Sequence, residues 1–324
     1  MEAIPQMSVQ RILITGASGC VGHYIVEDLM EKTGHELVLV LRDPAKLAIR
    51  PEWAARISVV AADMEALDTY RDRLAGIDAA MLVATSWGEG NAFRINCDAN
   101  TALADALIAA GCRRIVYFSS ASVLDADGRL LDAARDLGSE YIQSKYRLVE
   151  LMEERAGQAD MIGMFPTLVV GADPGKPASH FAKLIRQVKP WAWLMRRLRA
   201  DGRFHIIHAR DIATVARVML SRPMTPGKPE RVVLGNPSRS VNEFAAEFLA
   251  HLGKRPGRSI ELRETMAEAL IKFFRIQLSP WDRYCMHHRD LSHRVAVNPA
   301  AFGEPVHAPD LSAALTSIGI ARRG

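Results

Sequence analysis

The 324-residue chain is 49% hydrophobic and 24% charged, which supplies a sizeable core and excludes a disordered regulator. With 41 Lys and Arg against 37 Asp and Glu, the formal charge of +4 lacks the concentrated basic field of a nucleic-acid binder. The four cysteines (Cys20, Cys97, Cys112, Cys285) form no C-x-x-C pair and no zinc-like spacing, and no apolar run approaches the ~18 residues of a membrane span. With no signal region in MEAIPQMSVQR, the chain reads as a reduced cytoplasmic protein without a metal site.

In chain order, RILIT (11–15) reads as a buried strand, followed by a helix from about Cys20 to Lys32. ELVLVL (36–41), ISVVAA (57–62), DAAMLVAT (78–85) and RIVYFSS (114–120) continue as apolar runs of strand length. Between the last two, Ile95, Ala99, Ala102, Leu103, Ala106 and Leu107 recur at helical spacing, with Gly111 where a helix C-cap belongs. Strand and helix alternating in this way predict a doubly wound parallel sheet of Rossmann type, covered on both faces. The alternation breaks after about residue 171. FAKLIRQVKPWAWLMRRLR (181–199) is basic and apolar with Pro190 interrupting it; RFHII (203–207) and RVVLG (231–235) are strand-like; DIATVARVML (211–220) is an amphipathic helix. Ser240 and Glu243 form a capping box for a helix that Gly253 can close. The expected organisation is a nucleotide domain over 8–175, to which 203–235 returns, and a smaller, mostly helical lobe over 176–202 and 236–324.

TGASGCVG (15–22) joins the first strand to the first helix, with glycines spaced G-x-x-G-x-x-G. So tight a turn needs residues that tolerate positive φ and let backbone approach a pyrophosphate, and the helix N-terminus then offers free N–H groups to the anion. The end of the second strand selects the dinucleotide. An acid there would hold a ribose 2′-hydroxyl; this chain has Arg42, a fork of donors suited to a 2′-phosphate, with Lys46 nearby, so NADP(H) is favoured over NAD(H). Asp63, after the third strand, is placed either to contact an adenine amine or to cap the next helix.

Tyr141-Ile-Gln-Ser-Lys145 puts a phenol and an ammonium on one helical face. A nearby cation stabilises phenolate, so such a tyrosine can exchange a proton with a carbonyl oxygen. Ser119 and Ser120 end the preceding strand at the ligand-binding edge of the sheet, where a hydroxyl can hydrogen-bond the same oxygen.

With TGASGCVG, Asp63, FSSASV (118–123) and YIQSK (141–145) in place, residues 10–235 resemble the extended branch of the short-chain dehydrogenase/reductase superfamily, the NAD-dependent epimerase/dehydratase-like type. The resemblance implies an NAD(P)-dependent oxidoreductase. Tyr141 would be the general acid/base, Lys145 would lower its pKa and bind the nicotinamide ribose, and Ser120 would orient the substrate carbonyl. The cofactor contacts it implies are Thr15, Gly16, Ser18, Gly19, Cys20, Val21, Gly22, Arg42, Lys46, Asp63, Met64, Ala84, Thr85, Tyr141, Lys145 and Pro166. Asn96 resembles the family's structural asparagine, or else is a helix N-cap; His208-Ala-Arg-Asp211 resembles an architectural H-x-x-D stretch. Phe165-Pro166 stands where the pattern has Arg-Pro, and Ala121-Ser122 follows the serine where sugar-nucleotide dehydratases have Asp-Glu. Both departures, with Arg42, point to hydride transfer on the carbonyl or secondary alcohol of a small, apolar substrate. The alternatives are an epimerase or lyase using the cofactor transiently, and a non-catalytic NADP-binding scaffold or sensor at a membrane surface.

The last alternative rests on 181–199, where Lys183, Arg186, Lys189, Arg196, Arg197 and Arg199 accompany Trp191 and Trp193 without an acid; the segment reads either as a peripheral membrane contact or as a substrate-lobe helix with a solvated basic side. IKFFRIQLSPWDRYCMHHR (271–289) either walls a pocket for a bulky apolar substrate or is core. His287, His288 and His293 have no metal-ligand spacing and read as surface or substrate contacts, and Cys20 as a small residue within the loop. The oligomeric state stays open.

Overall fold

The computed structural model describes residues 10–322 apart from 48, 89, 256, 258, 263–265, 267 and 269–276. The central sheet begins with β1 (Arg11–Thr15), β2 (Glu36–Leu41), β3 (Ile57–Ala61), β4 (Ala79–Leu82), β5 (Arg114–Phe118) and β6 (Asp160–Pro166). Outside it lie three short pairs: β7 (Leu168–Val170) with β10 (Ile206–His208), β8 (Leu198–Arg199) with β13 (Ile260–Glu261), and β9 (Arg203–Phe204) with β12 (Arg239–Ser240). The seventh central strand is β11 (Glu230–Leu234), giving the order β11-β6-β5-β4-β1-β2-β3, every pair parallel. The order reverses between β1 and β4, and a crevice opens there at the strands' carboxyl ends.

The strands read as unbroken apolar runs because both faces are covered. Ile12 and Ile14 face one core, with Tyr24, Ile25 and Leu29 of α1 (Cys20–Lys32) and, from α7 (Ala209–Ser221), Ile212, Val215 and Met219. Leu13 faces the other, with Leu103 and Leu107 of α2 (Asn100–Ala109) and Leu148, Val149 and Met152 of α4 (Glu140–Glu153). Arg217 on α7 pairs with Asp28 on α1 at 2.6 Å, and Arg114 on β5 donates to the carbonyls of Met219 and Leu220 at the end of α7. Short α3 (Asp132–Leu137) precedes α4.

The segment 203–207 departs from its expectation as one strand. His205 splits it, and neither half joins the central sheet; the return is made by β11 alone. Pro190 breaks 181–199 into α5 (His180–Val188), a 3-10 turn and α6 (Ala192–Met195). Ser240 caps α8 (Val241–His251) with the full capping box. Val170, Ala182, Ile185, Phe248, Leu249 and Leu315 form a separate lobe core. Among the described residues no helix is long and apolar enough to cross a membrane. Residues 271–276 of the second apolar-basic stretch lie outside the described residues; Pro280–His287 of it is a helix.

Candidate active site

The glycine loop closes against the end of β4. Gly16 has φ +71°, and a Cβ there would stand 2.7 Å from the Ala84 nitrogen; a Cβ on Gly22 would stand 2.1 Å from the Gly16 carbonyl oxygen. The Gly19 N–H donates to that oxygen at 2.9 Å, and the Ala84 N–H donates to the Thr15 hydroxyl at 3.2 Å. α1 starts at Gly19 with no side-chain cap and no acid in its first turn, so its first N–H groups and positive dipole end stay available to an anion. These features fit the pyrophosphate of a dinucleotide. Burial pushes the Cys20 thiol up to about 12 and its Sγ lies 3.7 Å from the Gly171 carbonyl oxygen, so it fills space and is no thiolate.

At the end of β2, Arg42 is exposed and carries no ion pair with a described residue, whereas Lys46 pairs with Asp43 at 3.5 Å. Asp63 accepts from the Glu65 N–H at 3.1 Å, which satisfies the capping reading while the residue still lines the cleft. Tyr70 donates to the Met64 carbonyl at 2.9 Å, fixing the wall beside it.

Ser139 caps α4, which places Tyr141 in its first turn and Lys145 one turn on. Lys145 is 2% exposed, and its Nζ donates to the Phe118 carbonyl at the end of β5, 2.8 Å away. Ser119 donates to the Lys145 carbonyl at 3.0 Å and is committed to holding α4. Ser120 accepts from the Ser122 N–H at 3.3 Å, which leaves its own proton for another acceptor.

Burial governs the titrations. It pushes the Tyr141 phenol up and pulls the Lys145 ammonium down to about 7. The sequence-based expectation that the ammonium draws the phenol toward neutrality is therefore not what the cofactor-free protein shows. Between about 7 and the ordinary 10.5, folding sheds a proton from Lys145 that the unfolded chain keeps, so this group adds stability as pH rises through that window. Relative to Lys145→Met, the cofactor-free wild type should gain on the order of a few kcal/mol between pH 7 and 10 in urea titrations. A gap that stays constant with pH would contradict this.

Asn96 is no N-cap. It lies in a π-helical turn, Arg94–Ala99, accepts from the Ser86 N–H (2.8 Å) and the Thr85 hydroxyl (3.0 Å), and donates to the Ser86 carbonyl and the Ser144 hydroxyl (3.0 Å each). It thus ties the loop after β4 to α4. Glu140 ties the far end of that loop, accepting from Gly90 and Ala92 N–H at 2.6 and 3.1 Å. Trp87, between these anchors, stacks on the Tyr141 ring with centroids 3.9 Å apart. Neither Trp87 nor Glu140 was singled out by sequence reasoning; the available signal was an aromatic in a glycine-flanked loop at the sheet's carboxyl edge.

Asp211 accepts from the His307 and Ala308 N–H groups at 2.7 and 3.2 Å, an architectural role, and Phe165 is wholly buried. His288 stacks on Tyr284, and His293 hydrogen-bonds the Asp125 carbonyl while its N–H donates to His205. One cleft of about 1580 Å³ gathers every residue expected to hold cofactor, from Thr15 through Pro166, together with Ser120, Tyr141 and Lys145.

A model described as the NAD dependent epimerase/dehydratase family matches residues 12–235. No curated protein matches the chain. Among solved structures, gox2253 superposes with TM-score 0.68 at 21% identity, covering 97% of this chain and all of its own. DesIV, a dTDP-glucose 4,6-dehydratase from Streptomyces venezuelae with NAD and TYD bound, gives 0.66 at 15% identity, covering 96% of each chain. A UDP-glucose 4-epimerase from Stenotrophomonas maltophila, with NAD and formylated UDP-arabinopyranose, gives 0.63 at 18%, covering 97% and 94%. At such identities the structures share the fold with this chain. The doubly wound sheet, the glycine-loop cleft and the match over 12–235 together make the chain a member of the NAD dependent epimerase/dehydratase family, the extended class of NAD(P)-dependent short-chain dehydrogenase/reductase enzymes.

Proposed function

We propose that the protein is an NADP-dependent oxidoreductase that interconverts a carbonyl and a secondary alcohol on a small apolar substrate. The observation that carries this reading is that Ser120, Tyr141 and Lys145 line the same cleft as the glycine loop and Arg42. The coenzyme supplies or takes the hydride at its nicotinamide C4. In the reductive direction Tyr141 gives its proton to the substrate oxygen, Ser120 donates a hydrogen bond to it, and Lys145 holds the ribose and stabilises the phenolate left behind. Residues 8–175 with 203–235 form the coenzyme domain in this reading, and 176–202 with 236–324 the substrate lobe.

Arg42 is the residue assigned to the 2′-phosphate. Arg42→Ala should weaken NADPH binding about 10- to 100-fold and leave NADH nearly unchanged, as measured by calorimetry. Equal losses for both coenzymes would remove the NADP assignment.

Family membership favours a second reading, an epimerase or dehydratase that reduces its coenzyme only transiently. NADPH oxidised mole for mole with carbonyl consumed supports the oxidoreductase; turnover without net oxidation supports the alternative. Trp191 and Trp193, 57% and 54% exposed in the basic segment, favour a third, an NADP-binding scaffold on an anionic membrane. Co-sedimentation with phosphatidylserine vesicles, together with no turnover of any carbonyl, would decide for it.

A further inference from the structure

Beyond the residues assigned to coenzyme, the cleft is walled by rings. Tyr141 and His180 both lie nearly parallel to Trp87, at 3.9 Å and 12° and at 4.5 Å and 27°. Two rings that close would overlap if they shared one face, so they cover opposite faces of the indole. A second stack rises from the helix Pro280–His287, where Trp281 lies 5.4 Å from Tyr284 and Tyr284 lies 4.0 Å from His288, both at 17°. Trp281, Tyr284 and His288 line the same cleft as Trp87, and Phe181 and Phe204 line it as well. His180, the first residue of α5 after its cap Ser179, is exposed and has no hydrogen bond to a described residue. It is therefore the ring of the first stack that can leave.

Charge in this part of the cleft is largely spoken for. Of the Lys and Arg residues that line the whole cleft, Arg42 and Lys46 stand at the end of β2 and Lys145 is bonded to Phe118. Arg94 is paired with Glu65 at 3.0 Å, which leaves Lys183 among the described residues. A nucleotide sugar brings a dianionic diphosphate, and one exposed lysine is a poor match for it. Stacked rings offer the face of an uncharged planar group far more.

We propose that the substrate is an aryl ketone, or the aryl carbinol of the reverse direction. Its ring is held against Trp87 in place of His180, and the Trp281–Tyr284–His288 stack forms the second aromatic surface of the pocket. This rests on the hydride-transfer reading of the same site and deepens it.

The test compares acetophenone with cyclohexyl methyl ketone, which have the same carbon skeleton with and without aromaticity. Conjugation makes acetophenone the less electrophilic of the two, so a preference for it has to come from binding. With NADPH, wild type should favour acetophenone about tenfold or more in kcat/KM, carried by KM. Trp87→Leu, which keeps apolar bulk without a ring, should bring the ratio below about threefold, and Trp87→Phe should keep most of it. Should Trp87→Leu fail to fold, Trp281→Leu carries the same comparison. A wild-type ratio near one, or a ratio untouched by the leucine variant, overturns the proposal. If NADPH binds but neither ketone nor either carbinol is turned over, it is the hydride-transfer reading that fails. Ring selectivity is then read by calorimetry on NADPH-loaded protein with 1-phenylethanol and 1-cyclohexylethanol: tighter binding of the phenyl compound supports the aromatic site, and equal affinity overturns it.

Discussion

Tyr141→Phe is expected to lower kcat by on the order of 10²-fold or more while NADPH affinity stays within about threefold. The substitution deletes one oxygen and keeps the ring that Trp87 covers at 3.9 Å, so the packing of α4 and its loop should survive. What is lost is the group that gives or takes the proton as charge develops on the substrate oxygen. Ser120 remains as a hydrogen-bond donor, which predicts residual activity above background. Because burial pushes the phenol up in the cofactor-free protein, the proton-transfer form is the neutral phenol through the physiological range. Full activity in the phenylalanine variant, measured in single turnover to set product release aside, would discard the assigned mechanism.

Gly22→Ala should be the most damaging change in the coenzyme cradle. The added methyl would sit 2.1 Å from the Gly16 carbonyl oxygen and 2.8 Å from the Ala17 Cα, both backbone atoms of a loop already pinned through Gly19 and Ala84. A methyl placed against backbone cannot be accommodated by a rotamer change, so either α1 shifts outward or the loop opens. We expect a stability loss of about 2–3 kcal/mol and a fall in NADPH affinity of roughly 30-fold or more. Gly157→Ala is the matched control, since no atom lies within 4 Å of its added methyl. Urea titration with coenzyme calorimetry reads both, and near-wild-type affinity in Gly22→Ala would show that the cradle does not hold the pyrophosphate.

Parallel strands buried on both faces write themselves as continuous apolar runs, and a strand–glycine–helix turn is local, so β1, β2, β4, β5 and the 15–22 loop were legible from residues alone. So was the pairing of Tyr141 with Lys145, which needs only helical periodicity. The ring stack was not, because Trp87, Tyr141 and His180 come from three segments that only the folded chain brings together. The choice between Ser119 and Ser120 was equally hidden, since it depends on Ser119 meeting the Lys145 carbonyl 26 residues away. The split at His205 escaped pattern reading because RFHII has strand composition throughout, and His205 is taken instead by the Asn236 carbonyl and the His293 N–H. The direction of the phenol's shift was misjudged for a related reason: a sequence shows a cation four residues away but not how deeply both groups are sunk, nor that Phe118 claims the ammonium.

The last strand and α7 reach the sheet only after the chain has wandered off to build the short pairs around residues 168–208, yet α7 is the cover of α1 and is clasped by Arg114 and Arg217. A protein engineer recombining modules at a single cut near residue 175 would strip a scaffold of its outer ribbon and bare the oily side of its opening helix. Grafts confined to the rim, at 85–91 or along 280–287, leave every rung of the ladder intact. Selectivity in this architecture is thus a detachable trim, whereas coenzyme capture is woven through the sequence and has to be inherited whole.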